Sequence, residues 1–179
     1  MNLAVWLQRQ AQVQGSQPAL FLGWELVADY SEFGARVAAL AGWLRAQGIN
    51  TGDRVAIFMK NCPDYLITQY AIWYIGAAAV PINAKLHGRE AEFILQDSGA
   101  RMVFTSPELT EALTSAQSAI APIDISGAAY AQALSHAPVS EPVSRAADDM
   151  AWLFYTSGTT GRPKGVMITH GMLMSMSLA

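Results

Sequence analysis

Residues 155–166 read Tyr-Thr-Ser-Gly-Thr-Thr-Gly-Arg-Pro-Lys-Gly-Val, directly after the apolar run Met-Ala-Trp-Leu-Phe at 150–154. The apolar run is continuous, rich in aromatics and preceded by Asp148 and Asp149, so it reads as a buried strand. A strand of that kind is a rigid anchor for the glycine-rich segment after it. Gly158, Gly161 and Gly165 can adopt positive φ, which lets successive N–H groups converge on an anion. The hydroxyls of Thr156, Ser157, Thr159 and Thr160 add donors, and Lys164 adds a compact positive charge. Pro163 restricts the chain just before that lysine. The sequence therefore reads as a loop that handles phosphate. A plain polar hairpin needs only one or two special residues at its turn, not so long an ordered run.

The loop is not of the Walker A kind, which needs G-x-x-x-x-G-K-[ST] opening a helix. Here two residues separate Gly161 from Lys164, and Gly165 comes next. Residues 166–169 then read as a second strand, so the loop joins two strands. Thr169 or His170 opens a helix after it, with Thr169 suited to cap it.

Strands and helices alternate upstream. Residues 19–22 and 25–27, on either side of Gly23, predict a small hairpin. Asp29 and Glu32 have the spacing of a capping box, and Phe33, Val37, Leu40, Ala41 and Leu44 fall at helical spacing after it. Gly48 is a C-terminal stop that Ile49 can close hydrophobically. Further strands are predicted at 54–59, 78–82 and 101–105, and a weaker one at 122–125. Helices are predicted from Asn61 or Asp64 to near Gly76, over 88–98 with Gly99 as stop, over 107–118, and weakly over 127–134. This alternation argues for an α/β fold, a parallel-rich sheet with helices on both faces. The stretch 136–149, with its prolines, serines and charges, is the linker candidate. It divides the chain into an α/β subdomain at 1–135 and, from 150 to 179, the start of a next subdomain that carries the loop.

Composition sets limits. The chain has 179 residues, 52% of them hydrophobic and 14% charged, enough for one domain with a large core. A net charge of −3 with no basic block argues against nucleic-acid binding. The one cysteine, Cys62, excludes an internal disulfide and fits a reducing, cytoplasmic setting. Cys62 stands at a helix start, which can lower a thiol pKa, although the simpler role is that of a small packed residue. The longest apolar run, 71–80, is about half of the ~20 residues that a membrane-crossing helix needs. The first nine residues lack a basic start and a cleavage site, and read as a short amphipathic helix.

The loop resembles the ATP signature of the adenylate-forming superfamily, which includes acyl- and aryl-CoA synthetases, luciferases and peptide-synthetase adenylation domains. The match is complete over 155–166, and Thr169-His170 fits its continuation. Residues 29–33, 52–57 and 76–83 resemble the opening helix, the first core strand and the next strand and loop of that family, so the resemblance runs from about residue 17 to the end. It implies the N-terminal part of the large domain of such an enzyme. It also implies ATP, Mg²⁺ and coenzyme A as reactants or cofactors and a small-molecule carboxylate as substrate. The family's loop holds the β- and γ-phosphates of ATP, a role that would fall here to Thr156, Ser157, Gly158, Thr159, Thr160, Gly161 and Lys164. Thr159 would be a neighbour of Mg²⁺, with the main carboxylate ligand beyond Ala179.

The family's aromatic-Thr-Glu segment, ribose-binding aspartate, hinge and C-terminal catalytic lysine all come later than residue 179. The expectation is therefore an N-terminal piece of an acid–thiol ligase, inactive by itself, whose incomplete sheet exposes an edge for self-association. Thr159-Thr160 and the Val-Pro-Ile-Asn stretch at 80–83 resemble acyl-CoA synthetases more than peptide-synthetase domains, and a medium- or long-chain fatty acid is the expected substrate. An aryl acid, a malonate-like diacid, a peptide-synthetase adenylation domain and a non-catalytic nucleotide-binding module stay open. Among other residues, His170 reads as a helix-start residue rather than a catalytic one. His87 and His136 lack metal-ligand spacing, and Asp53 reads as a turn residue before a strand.

Overall fold

The computed structural model describes residues 1–156 and 163–177. In chain order the elements are α1 (Ala4–Val13), β1 (Pro18–Leu22), β2 (Glu25–Asp29), α2 (Tyr30–Ala46), β3 (Arg54–Phe58), α3 (Pro63–Tyr74), β4 (Ala78–Pro81) and α4 (Gly88–Ser98). They continue with β5 (Met102–Thr105), α5 (Pro107–Ser115), β6 (Ile123–Asp124), α6 (Ala128–Leu134), β7 (Met150–Thr156), β8 (Lys164–Thr169) and α7 (His170–Ser177).

The main sheet has six strands in the order β6-β5-β3-β4-β7-β8. All its pairs are parallel except β7–β8, an antiparallel hairpin. β3 lies between β4 and β5, with Ala56 opposite both Val80 and Val103. Alternate residues of each strand face opposite layers. Val55 and Ile57 pack with the buried residues of α1, α2, α3 and α6, whereas Ala56 and Phe58 pack with those of α4 and α5. Two cores on two faces of one mostly parallel sheet are the α/β architecture that the alternating pattern predicts.

Local chemistry sets most boundaries. At the start of α2 the Glu32 N–H donates to the Asp29 carboxylate at 2.8 Å, and the Asp29 N–H donates back to Glu32 at 3.4 Å. At its end the Ile49 N–H reaches the Leu44 carbonyl at 3.1 Å while Gly48 takes φ 79°, the left-handed closure that glycine allows. The helix after β3 starts between the two expected positions, Asn61 and Asp64. Cys62 is its N-cap and Pro63 its first residue, because proline's fixed φ suits a position whose N–H has no helical partner. The helix expected over 107–118 stops at Ser115, and Gln117 adopts φ 57° to turn the chain out. β7 departs further from expectation. Only Ala151 is fully buried in it, and Phe154 is 42% exposed, since β7 meets β4 through the single pair Ala79–Trp152.

The segment 136–149 lies along the α2–α3 layer. The Val139 N–H donates to Ala38 O at 3.0 Å, the Val143 N–H to Tyr74 O at 2.8 Å, and Tyr74 Oη to Ser140 O at 3.2 Å. A Cβ on Gly42 would collide with the Ala137 carbonyl, so the close approach of this segment to α2 depends on that glycine. The N-terminus ties the same region to α7. Asn2 donates to the carbonyls of Trp73 and Val143, and the Leu3 N–H donates to His170 Nδ1 at 3.4 Å. His170 is wholly buried beside Trp73, and its Nε2 has no hydrogen-bond partner among the described residues.

This packing has two measurable consequences. Gly42→Ala should push 136–139 off α2 and destabilise the chain by about 1–3 kcal/mol, read as a lower urea midpoint with unchanged far-ultraviolet dichroism. Burial, assisted by the Arg145 guanidinium and the α-amino group, pushes the His170 imidazole down to about 4. The unfolded chain then binds a proton between about pH 6.5 and 4 that the folded chain refuses, so this stability is complete above the higher value and is lost as pH falls. Its size is on the order of 1–3 kcal/mol. The difference in urea midpoint between wild type and His170→Gln should therefore shrink on going from about pH 7.5 to about pH 4.5.

Candidate functional site

The C-terminal ends of β3, β4 and β7 come together at one edge of the main sheet. In open α/β sheets that edge is where ligands are usually received. Here it carries a cleft of about 670 Å³ whose walls include Met59, Asn61, Tyr65, Asn83, Phe154 and Tyr155. A second cleft of about 670 Å³ opens between the β1–β2 hairpin and the start of α3. It shares Asn61, Tyr65, Pro81 and Phe154 with the first. Lys60 and Lys85 stand at the first cleft, and Lys60 is held by Glu108 at 2.9 Å.

The β7–β8 hairpin forms one side of this edge. Its rungs run Trp152–Ile168, Leu153–Met167, Phe154–Val166, Tyr155–Gly165 and Thr156–Lys164. Thr156 and Lys164, the two ends of the sequence-predicted phosphate loop, therefore face each other on the last rung, and both are exposed. Ser157, Gly158, Thr159, Thr160 and Gly161, with the expected Mg²⁺ contact of Thr159, lie outside the described residues. Just below the mouth, the Tyr155 hydroxyl donates to Asp97 Oδ2 at 2.6 Å, and burial together with this carboxylate pushes the phenol pKa up. A Cβ on Gly165 would lie 3.2 Å from Tyr155 Cζ, so the ring spans the glycine across the strand pair. An aromatic ring covering a cross-strand glycine holds such a rung closed.

β8 leads straight into α7, where the Met172 N–H donates to Thr169 Oγ1 at 3.2 Å, the cap expected of that threonine. His170 points into the core rather than to the cleft, which agrees with its reading as a helix-start residue. Asp53 also behaves as a turn residue, accepting from the Asn50 N–H at 2.8 Å and from Arg101 at 2.7 Å. Cys62 lines the second cleft, but burial pushes its thiol up, so the helix start does not make it a reactive thiolate. His87 caps α4, accepting from the Arg89 N–H at 3.3 Å.

Sequence reasoning missed Asp97 and the cleft walls Tyr65 and Phe154. The Tyr155–Gly165 rung could have been found by counting back from a hairpin mouth. Asp97, 58 positions away along the chain, left no such signal. Among the described residues no cluster of His, Cys, Asp or Glu is arranged to hold a metal ion, and no helix is long and apolar enough to cross a membrane.

Comparison with known proteins agrees with this architecture. The family model for AMP-binding enzymes matches residues 7–179. The chain is 40% identical over 172 residues to the feruloyl-CoA synthase of an Amycolatopsis species, covering 96% of this chain and 34% of that protein. It is 39% identical over 147 residues to a long-chain-fatty-acid–CoA ligase of Mycobacterium tuberculosis, covering 79% of this chain and 29% of the relative. Among solved structures, the o-succinylbenzoate coenzyme A synthetase of Bacillus subtilis in complex with AMP superposes with a TM-score of 0.81 at 28% identity, covering 97% of this chain and 44% of that one. The chain thus spans about a third of the length of the curated relatives it matches. With a matching model over nearly all of its residues and the same fold in its relatives, the chain belongs to the AMP-binding enzyme family.

Proposed function

We propose that this chain is the N-terminal portion of an ATP-dependent acid–thiol ligase, and that its β7–β8 hairpin presents the loop that holds the ATP phosphates. The observation that carries the reading is the last rung of that hairpin. Thr156 and Lys164 face each other across the mouth of a glycine- and hydroxyl-rich segment, at the sheet edge beside the cleft. The relatives support the chemistry, since those named above are synthases or ligases of coenzyme A thioesters.

Such a ligase works in two steps. A carboxylate oxygen attacks the α-phosphorus of ATP, the bond to the bridging oxygen breaks, and pyrophosphate leaves with that electron pair. The thiol sulfur of coenzyme A then attacks the acyl carbon and AMP departs. Most of the catalysis is positioning and neutralisation of phosphate charge. In this chain Lys164 supplies a positive charge on a flexible stem, Thr156 a hydroxyl donor, and the glycines of 157–162 N–H groups unshielded by side chains. Mg²⁺, when bound with the nucleotide, would neutralise phosphate charge beside Thr159.

The relatives named above include a feruloyl-CoA synthase and a long-chain-fatty-acid–CoA ligase. We propose a medium- or long-chain fatty acid, supported by the likeness to the long-chain-fatty-acid–CoA ligase. The Thr159-Thr160 pair and the residues at 80–83 support a coenzyme A synthetase over a peptide-synthetase domain. Residues 1–179 alone are proposed to bind nucleotide without turnover, and formation of acyl-adenylate by them from ATP and any carboxylate would overturn that part.

Lys164→Ala removes one phosphate-directed charge and should weaken ATP-dependent pyrophosphate exchange by the whole ligase by about 1–3 kcal/mol, roughly ten- to a hundredfold. An unchanged exchange rate would take Lys164 out of the site. On residues 1–179, ATP with Mg²⁺ should slow amide exchange across 156–164, and the absence of any nucleotide effect would leave only a structural module.

A further inference from the structure

We propose that Tyr155 and Asp97 form a positioning clamp that sets the spacing of Thr156 and Lys164 at the mouth of the loop. The inference rests on the phosphate-binding reading above and adds two residues to it.

Three observations converge on this pair. Tyr155 lies one rung below the mouth, and its ring spans Gly165, so one side chain bears on both strands of the hairpin. Its hydroxyl then reaches out of the hairpin to Asp97 Oδ2 at 2.6 Å, the short distance of an O–H donor on a carboxylate. Asp97 is also poorly placed for the helix that carries it. It is the penultimate residue of α4, whose last turn has no basic residue, and a carboxylate there opposes the helix dipole. The open carbonyls at that end are satisfied instead by Arg54, which donates to Ser98 O at 2.8 Å and to Gly99 O at 3.0 Å. The hydrogen bond from Tyr155 gives Asp97 a purpose that helix stability does not.

The clamp matters because the hairpin is weakly held elsewhere. β7 joins the sheet through one pair with β4, and β8 is an edge strand with Val166 and Met167 exposed. The tie to α4 resists rotation of the stem about β7. Loss of the hydroxyl frees the last two rungs to fray and makes the Thr156–Lys164 spacing variable, which weakens any anion held between the two ends.

The test uses residues 1–179 with Tyr155→Phe, Asp97→Asn and the double variant. In the ligand-free chain, amide exchange at 164–166 should quicken about three- to tenfold in each single variant, while the urea midpoint stays close to wild type. Affinity for ATP with Mg²⁺ should fall by a similar factor. The double variant should be no worse than Tyr155→Phe, because both changes delete one bond, and Asp97→Glu should recover part of the loss. Unchanged exchange at 164–166, or additive losses in the double variant, would overturn the clamp. Faster exchange in a chain whose wild type shows no response to ATP would keep the clamp and remove the phosphate reading.

Discussion

β3 has no polar face, and the rest of the fold depends on that. Val55, Ala56, Ile57 and Phe58 are fully buried, so the strand needs a neighbour on each edge and a helix layer on each side. β4 and β5 supply the edges by parallel pairing. Parallel strands cannot be joined by a tight turn, so the chain between them has to cross a face of the sheet as a helix. α3 crosses one face and α4 the other, which gives the two cores. The same arrangement sends the C-terminal ends of β3 and β4 to one edge, where the loops after them carry Lys60, Asn61, Asn83 and Lys85 to the cleft.

The hairpin is attached to this frame by a few specific contacts rather than by bulk burial. Trp73 of α3 donates its indole N–H to Ala151 O at 2.9 Å, and the Trp152 ring lies 5.9 Å from it. On the opposite face Leu153 and Tyr155 pack partly against the α4–α5 core. At the far end the Leu3 amide meets His170, so the N-terminal residues help to fix where β8 turns into α7.

Much of this was legible in the sequence where the signal is local. The capping box of Asp29 and Glu32, the stops at Gly48 and Gly99 and the helix over 88–98 depend on residues within a few positions of each other, and they occur as the pattern predicts. The exposure of β7 was not legible. An apolar run reads as buried on both faces, but whether both are covered depends on which strands and helices come beside it, here β4 through one pair and β8 at an edge. The start of α3 slipped because Asn61 and Asp64 are both capping types, whereas the helix begins at Pro63 after Cys62, which makes no side-chain cap. The motif marked Thr156 and Lys164 as ends of a loop between two strands, and the hairpin pairs them, whereas nothing in the sequence of α4 marks Asp97 as a partner of Tyr155.

On the proposed phosphate-binding reading, the element after the loop separates this site from phosphate loops that open a helix. Where a glycine-rich loop opens a helix, the aligned peptide dipoles add about half a positive charge to the anion site. Here the next element is β8, and strand dipoles nearly cancel. The positive potential at the mouth must then come from side-chain charge and from whatever cation accompanies the anion. Lys164 stands on the mouth rung itself, with Lys85 at the neighbouring cleft, where Lys60 is paired with Glu108. A site built this way has charge on flexible stems rather than on a fixed backbone. On the proposed reading, such charges can follow the pyrophosphate as it leaves, but they depend on a stem that keeps the mouth in register. That dependence is the physical reason for a tyrosine, a glycine and a distant aspartate to meet one rung below the lysine.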